Sequence, residues 1–188
     1  MVRQNLPEAF KERYGDCIGI IDCSEFELQA PTSFSLQGMS YSDYKERNTV
    51  KALFGITPDG YFSHVSDLYP GSKNDNDFTL SCGLLDRCPP SVALMADKGF
   101  TVSETELQRR GIRMVRPSFF SKDERASKSK VIHTKHVANI RIYAENAIGR
   151  LRYHRILNHR IPISFAHLAN QMVQVCVFLT NLSAPLAK

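Results

Sequence analysis

The chain has 188 residues, 43% of them hydrophobic and 23% charged, which suits one globular domain with a full core, or one plus a short appendage. Twenty-four Lys and Arg against nineteen Asp and Glu give a net charge of +5 and a sequence pI near 9.0, a balance that favours a polyanionic partner. Cysteines at 17, 23, 82, 88 and 176 are odd in number and contain no C-x-x-C pair. They argue against a disulfide framework or a zinc site and for reduced thiols in an intracellular protein. No apolar run approaches the roughly 18 residues of a membrane span, and no signal peptide is evident.

Met1 to Asp16 holds Leu6, Pro7, Phe10 and Tyr14 at loosely helical spacing and reads as a lead that packs on a domain spanning residues 17–188. Ile18-Gly19-Ile20-Ile21 is an apolar run of buried-strand type that ends on an acid, Asp22. An ionised carboxylate at such a strand end is costly to desolvate unless paired, solvated or bound to a cation. Glu25 and Glu27, alternating with Phe26 and Leu28, read as a solvated strand face. The polar and aromatic stretch Pro31 to Lys51 reads as an exposed connection or the edge of a strand. Leu53 to Ile56 and Tyr61 to Leu68 flank a Pro58-Asp59-Gly60 turn, which predicts a hairpin.

Pro70 to Phe78 breaks the sheet, and Ser72 or Asp75 is placed to cap a helix carrying Phe78, Leu80, Leu84 and Leu85. Cys88-Pro89-Pro90 ends that helix, and Val92 to Ala96 is a second apolar strand running into an acid, Asp97. Ser103 with Glu106 matches a capping box for the next helix, Gly111 its C-cap, and Ile112 to Val115 a short strand. Residues 117–135 are loop-like and basic, with Lys122, Arg125, Lys128, Lys130 and Lys135. Thr134 to Tyr153 predicts a helix whose core stripe is Ile140, Ala144, Ile148 and Leu151, with Glu145 among Arg141, Arg150 and Arg152. Arg141 and Glu145 are also spaced as an i,i+4 ion pair. Pro162 breaks the chain, and Phe165 to Leu182 is a strongly apolar last helix.

The order is α/β: strands first, then alternating helices and strands. Acids ending the first and fourth strands, and a third acid on a late helix, match a ribonuclease H-like mixed β-sheet flanked by helices. Asp22, Asp97 and Glu145 together suggest a carboxylate cluster for divalent cations, since oxygen-only donors suit magnesium or manganese.

Five blocks, IIDCSEFEL, YSDYKERNTVKALFGITPDG, PGSKNDNDF, LMADKGF and RIYAENAIGRLR, resemble the DDE superfamily endonuclease domain of PIF/Harbinger-type transposases. The resemblance extends to transposase-derived host nucleases, including those carrying a THAP module, and covers nearly the whole chain in order. The 47 residues between Asp97 and Glu145 agree with it. The helix motif departs: Ala144-Glu145-Asn146 stands where Val-Glu-Arg is usual, and Tyr143 where His is frequent.

The resemblance implies a catalytic and metal-binding triad of Asp22, Asp97 and Glu145, two Mg2+ or Mn2+ ions, and cleavage of double-stranded DNA in the nucleus or cytoplasm. It also implies strand transfer by the freed 3′-hydroxyl. It is compatible with a separate DNA-binding partner protein and with a homo-oligomer. Asp75 matches a recurrent acid of the family as well as a helix cap. Lys98 is a candidate phosphate contact or a solvated lysine. The basic run from Arg109 through Lys135, continued by Arg150, Arg152 and Arg155, is a candidate DNA rim. His133 and His136 share a helical face without a third ligand. The alternatives are a catalytically silent nucleic-acid or protein-binding scaffold and a ribonuclease H-like nuclease acting on RNA.

Overall fold

A computed structural model describes residues 14–97, 99–117, 141–184 and 186. Strand β1 (Cys17–Glu27) is the axis of the sheet. Its side chains alternate between two apolar layers: Ile20 and Phe26 on one face, Ile21 on the other. Next come helix α1 (Phe34–Ser40), β2 (Tyr41–Ser42), β3 (Arg47–Ile56), β4 (Phe62–Val65) and β5 (Tyr69–Pro70). Then follow α2 (Asp75–Ser81), β6 (Val92–Ala96), α3 (Glu104–Arg109) and β7 (Ile112–Val115). Helix α4 is described over residues 141–151, and α5 (Arg155–Asn158) and α6 (Ala169–Asn181) complete the chain.

The main strand order is β2-β3-β1-β6-β7, with β4 and β5 also paired to β3. β1 runs antiparallel to β3 and parallel to β6, and β6 parallel to β7. This mixed sheet flanked by helices is compatible with a ribonuclease H-like fold, as the order of elements predicted. On one face, Phe26, Phe54 and Met95 meet Ala144, Ile148 and Leu151 of α4 and Val173 and Val177 of α6. On the other, Ile21, Leu53 and Leu94 meet Phe78, Leu85 and Leu107. Each face of the sheet therefore has a helical layer, which is why β6 reads as a continuous apolar run.

The predicted hairpin forms around Thr57, whose N–H bonds the Tyr61 carbonyl at 2.8 Å, with Gly60 at φ +92°, open to glycine without strain. Among the described residues β4 has no strand on its far side, and α6 supplies partners there. The Asn181 side chain accepts from Phe62 N–H and donates to its carbonyl, both at 2.9 Å. By length and composition Ile163–Asn181 is apolar enough to cross a membrane, although polar residues such as Asn170 and Gln171 interrupt it. It is divided into a 3-10 segment (Ile163–Leu168) and α6, which buries Ala169, Val173, Cys176 and Val177 in the core.

Three local expectations are corrected or extended. The stretch 31–51, expected as an exposed connection or the edge of a strand, does supply the edge strand β2, and it also contains the helix α1 and the start of β3. The helix expected through Leu85 ends at Ser81 and resumes as a 3-10 turn (Leu85–Arg87), with Gly83 at φ +76° between them. Ser103 does occupy the N-cap position of α3, but its side chain makes no cap bond, and Glu106 turns to Arg109 and Arg110 instead. In the lead, Tyr14 is buried in the core, while Leu6, Pro7 and Phe10 lie outside the described residues.

Candidate active site

Parallel pairing sets Ile21 of β1 opposite Ala96 of β6. The next residue on each chain is an acid, so Asp22 and Asp97 emerge side by side where β6 ends. Asp22 is half-buried, and loss of hydration pushes its carboxyl up from 3.8 to about 6, opposed chiefly by the charge of Arg141. The charges of Asp97 and Glu145 push it the same way as burial does, so Asp22 senses both of the other acids.

The cation at their centre belongs to the protein. Arg141, in the first described turn of α4, places Nη1 3.0 Å from Asp97 Oδ1 and Nη2 3.9 Å from Glu145 Oε1. The i,i+4 pairing foreseen for Arg141 and Glu145 is thus present, and Arg141 extends it across to the second strand acid. A cleft of about 400 Å³ opens over these groups, lined by Asp22, Asp75, Asp97, Arg141, Arg152, Tyr44 and Lys45 among others. Glu145 is not part of its lining and is linked to it through Arg141.

Asp75 enters from the opposite face of the sheet. Pro70 and Tyr69 pair with β3, and Gly71 follows so closely that a Cβ there would lie 2.1 Å from Thr49 Oγ1. Ser72 ties this strap to α1 by donating to the Met39 carbonyl at 2.5 Å. The strap delivers the first turn of α2 over Lys51, a β3 residue only 5% exposed. Lys51 Nζ donates to Asp75 Oδ1 at 2.8 Å. The helix is capped by Asn74, whose side chain accepts from Asn76 N–H at 2.8 Å. Neither Ser72 nor Asp75 is the cap. Asp75 lines the acid cleft and is the counter-charge of the buried Lys51.

The candidate rim divides. Arg152 is bound to β1, donating to Ser24 Oγ and the Glu25 carbonyl, both at 2.7 Å, with its guanidinium over the Phe26 ring. It still lines the cleft, but as a fixed wall. Arg150 donates to the Ala184 carbonyl at 2.6 Å. Lys98, Lys122, Arg125, Lys128, Lys130, Lys135, His133 and His136 lie outside the described residues. Glu25 and Glu27, expected on a solvated face, are engaged: Glu25 accepts from Thr49 Oγ1, and Glu27 pairs with Arg160 and Arg47.

Three contributors escaped the sequence reading of the site: Arg141 as a bridge, Lys51 as the anchor of Asp75, and the Tyr44–Lys45 turn beside the acids. Lys51 had a signal, since it occupies an inward position of an alternating strand between Thr49 and Leu53.

In kind, the donors fit a hard divalent ion: carboxylate oxygens, mutually repelling, gathered where a positive group is already held. Among the described residues no three His, Cys, Asp or Glu side chains lie close enough together to hold a metal in this arrangement.

No curated protein matches the chain. Residues 21–181, from the end of the first apolar run to the end of α6, match the DDE superfamily endonuclease family. The chain belongs to the DDE superfamily of endonucleases.

Proposed function

We propose that the protein is a divalent-metal-dependent DNA endonuclease of transposase type, closest in its motifs to the PIF/Harbinger group, that hydrolyses phosphodiester bonds through Asp22, Asp97 and Glu145. The observation that carries this reading is the convergence of the three acids on one cation, with Asp22 at its buried end. These three residues would hold two Mg2+ or Mn2+ ions, which supply an activated water and steady the leaving oxygen. Asp22, on the central strand β1, would be one of their ligands, with its carboxyl raised to about 6 by loss of hydration. Arg141, once displaced from the acids, is poised to contact the phosphate, and Arg152 keeps the cleft wall in place. The reading takes double-stranded DNA in the nucleus as substrate, with strand transfer as its second step.

The Arg141 bridge also favours a second reading, a silent scaffold whose acids are permanently satisfied by the guanidinium. One experiment separates them. Supercoiled plasmid is incubated with the full chain in magnesium, in calcium and in EDTA, alongside Asp97→Asn. The nuclease nicks in magnesium alone, and Asp97→Asn is inert with an unchanged fold. No nicking by wild type in magnesium or manganese, or equal nicking by Asp97→Asn, would contradict the triad.

A further inference from the structure

The turn between β2 and β3 is built to present two side chains. Tyr41 pairs with Asn48 and Ser42 with Arg47, leaving Asp43 to Glu46 as the tip. Lys45 N–H donates to Ser42 Oγ at 3.3 Å, and Glu46 adopts a left-handed φ of +53° that reverses the chain. Behind the tip, the Asn48 side chain donates to the Gln37 carbonyl at 2.9 Å and to Ser40 Oγ at 2.8 Å, bracing the hairpin on α1. This backing gives a short turn a fixed position.

On that tip Tyr44 is 83% exposed. Lys45 Nζ lies 4.5 Å from the ring centroid, so aromatic face and ammonium form one unit. Both residues line the cleft that holds Asp22 and Asp97. Lys45 and Arg152 also line an adjoining cleft of about 440 Å³, together with Glu25 and the paired Arg47 and Glu27. A fixed, solvent-facing ring with a cation beside it, at the mouth of a phosphate-cutting cleft, matches the requirements of a nucleobase and its phosphate. Within a duplex the faces of each base are covered by its neighbours, so such a ring engages a base that is unpaired or turned out of the stack.

We propose that the Tyr44–Lys45 tip is a platform for an unpaired DNA nucleotide adjacent to the phosphate cut at the carboxylates: Tyr44 stacks on its base and Lys45 contacts its phosphate. The proposal rests on the nuclease reading and adds a structural preference to it, for DNA that is frayed, flapped or distorted next to the cut.

The test uses the full chain and a DNA hairpin with an unpaired flap carrying 2-aminopurine, in calcium. Stacking quenches the fluorescent base on binding. Wild type and Tyr44→Phe quench it. Tyr44→Ala loses the quench, binds the flap roughly tenfold more weakly, and keeps its melting temperature. Lys45→Ala lowers the salt slope of binding by about one. Plasmid nicking in magnesium, measured in parallel on wild type, reports on the carboxylates alone. A wild type that nicks but does not quench overturns the platform and leaves the nuclease standing, whereas one that does neither overturns both. Equal quench and affinity for wild type and Tyr44→Ala overturn the platform as well.

Discussion

Asp22→Asn abolishes magnesium-dependent nicking and leaves the metal-free protein more stable at neutral pH. The Asp22 carboxyl is raised from 3.8 to about 6, with burial the largest cause. A carboxylate whose pKa is higher in the folded than in the unfolded chain binds its proton more tightly when folded. Stability of the metal-free protein therefore falls as pH rises from about 4 through 6, and the whole penalty is present above that window. The size of the shift corresponds to about 2–3 kcal/mol. Asparagine is neutral throughout, so the variant recovers about that much stability at pH 7 and loses this part of the pH slope. Magnesium reverses the sign, because it requires the ionised form: metal affinity falls as pH drops through about 6. The loss in nicking is roughly a thousandfold or more, the rate equivalent of the several kcal/mol of Lewis-acid stabilisation that goes with the ligand. Thermal melts across pH with and without magnesium, beside plasmid nicking, check each part. A less stable Asp22→Asn at pH 7 would contradict the crowded, buried carboxylate.

Asp75→Asn behaves in the opposite way and destabilises the fold. A helix-cap role would predict little change, because asparagine caps as well as aspartate. The structure gives the cap to Asn74 and assigns Asp75 to Lys51. Lys51 is almost fully buried, and an amide in place of Asp75 can still accept its hydrogen bond but leaves the ammonium without its counter-charge. Breaking a fully buried pair costs about 3–5 kcal/mol. Asp75 is half exposed and Glu25 stands opposite Lys51 across the strands, so about 1–3 kcal/mol is expected. Adding Lys51→Met removes the stranded charge and restores most of the loss, a coupling that a double-mutant cycle of melting curves measures directly. Nicking by the double variant below its melting temperature is retained. If it is lost while the fold is intact, Asp75 acts on the substrate or the metal as well as on Lys51.

These two acids also show what could be read from the sequence. Asp22 and Asp97 were legible because each ends a short apolar run, and a strand periodicity is a local property. Glu145 was legible for the same reason on a helix: Ala144, Ile148 and Leu151 form the buried stripe that orients it. Asp75 was not, because its partner lies 24 residues away on a neighbouring strand, and adjacent Asn74 offers the same capping chemistry. Arg141 was read correctly toward Glu145 within its own helix and missed toward Asp97, a contact only the tertiary fold creates. Helix α1 carried no legible stripe because Phe34, Leu36 and Met39 face solvent. It is held instead by polar bonds from Ser40 and Asn48 to its carbonyls. The break at Gly83 could have been anticipated from the glycine, but the apolar residues on both sides continue a helical spacing across it.

The most direct measurement of the central claim is a titration of the metal-free protein with Mn2+, followed by electron paramagnetic resonance of the free ion, for wild type, Asp22→Asn, Asp97→Asn and Glu145→Gln. A single carboxylate centre predicts that wild type takes up manganese, that magnesium displaces it, and that each of the three substitutions alone abolishes or sharply weakens uptake while the protein stays folded. Arg141→Gln, which removes the guanidinium competing for the same oxygens, binds manganese at least as tightly as wild type. Wild type that leaves millimolar manganese free, or uptake that survives neutralisation of any one of the three acids, would contradict the account.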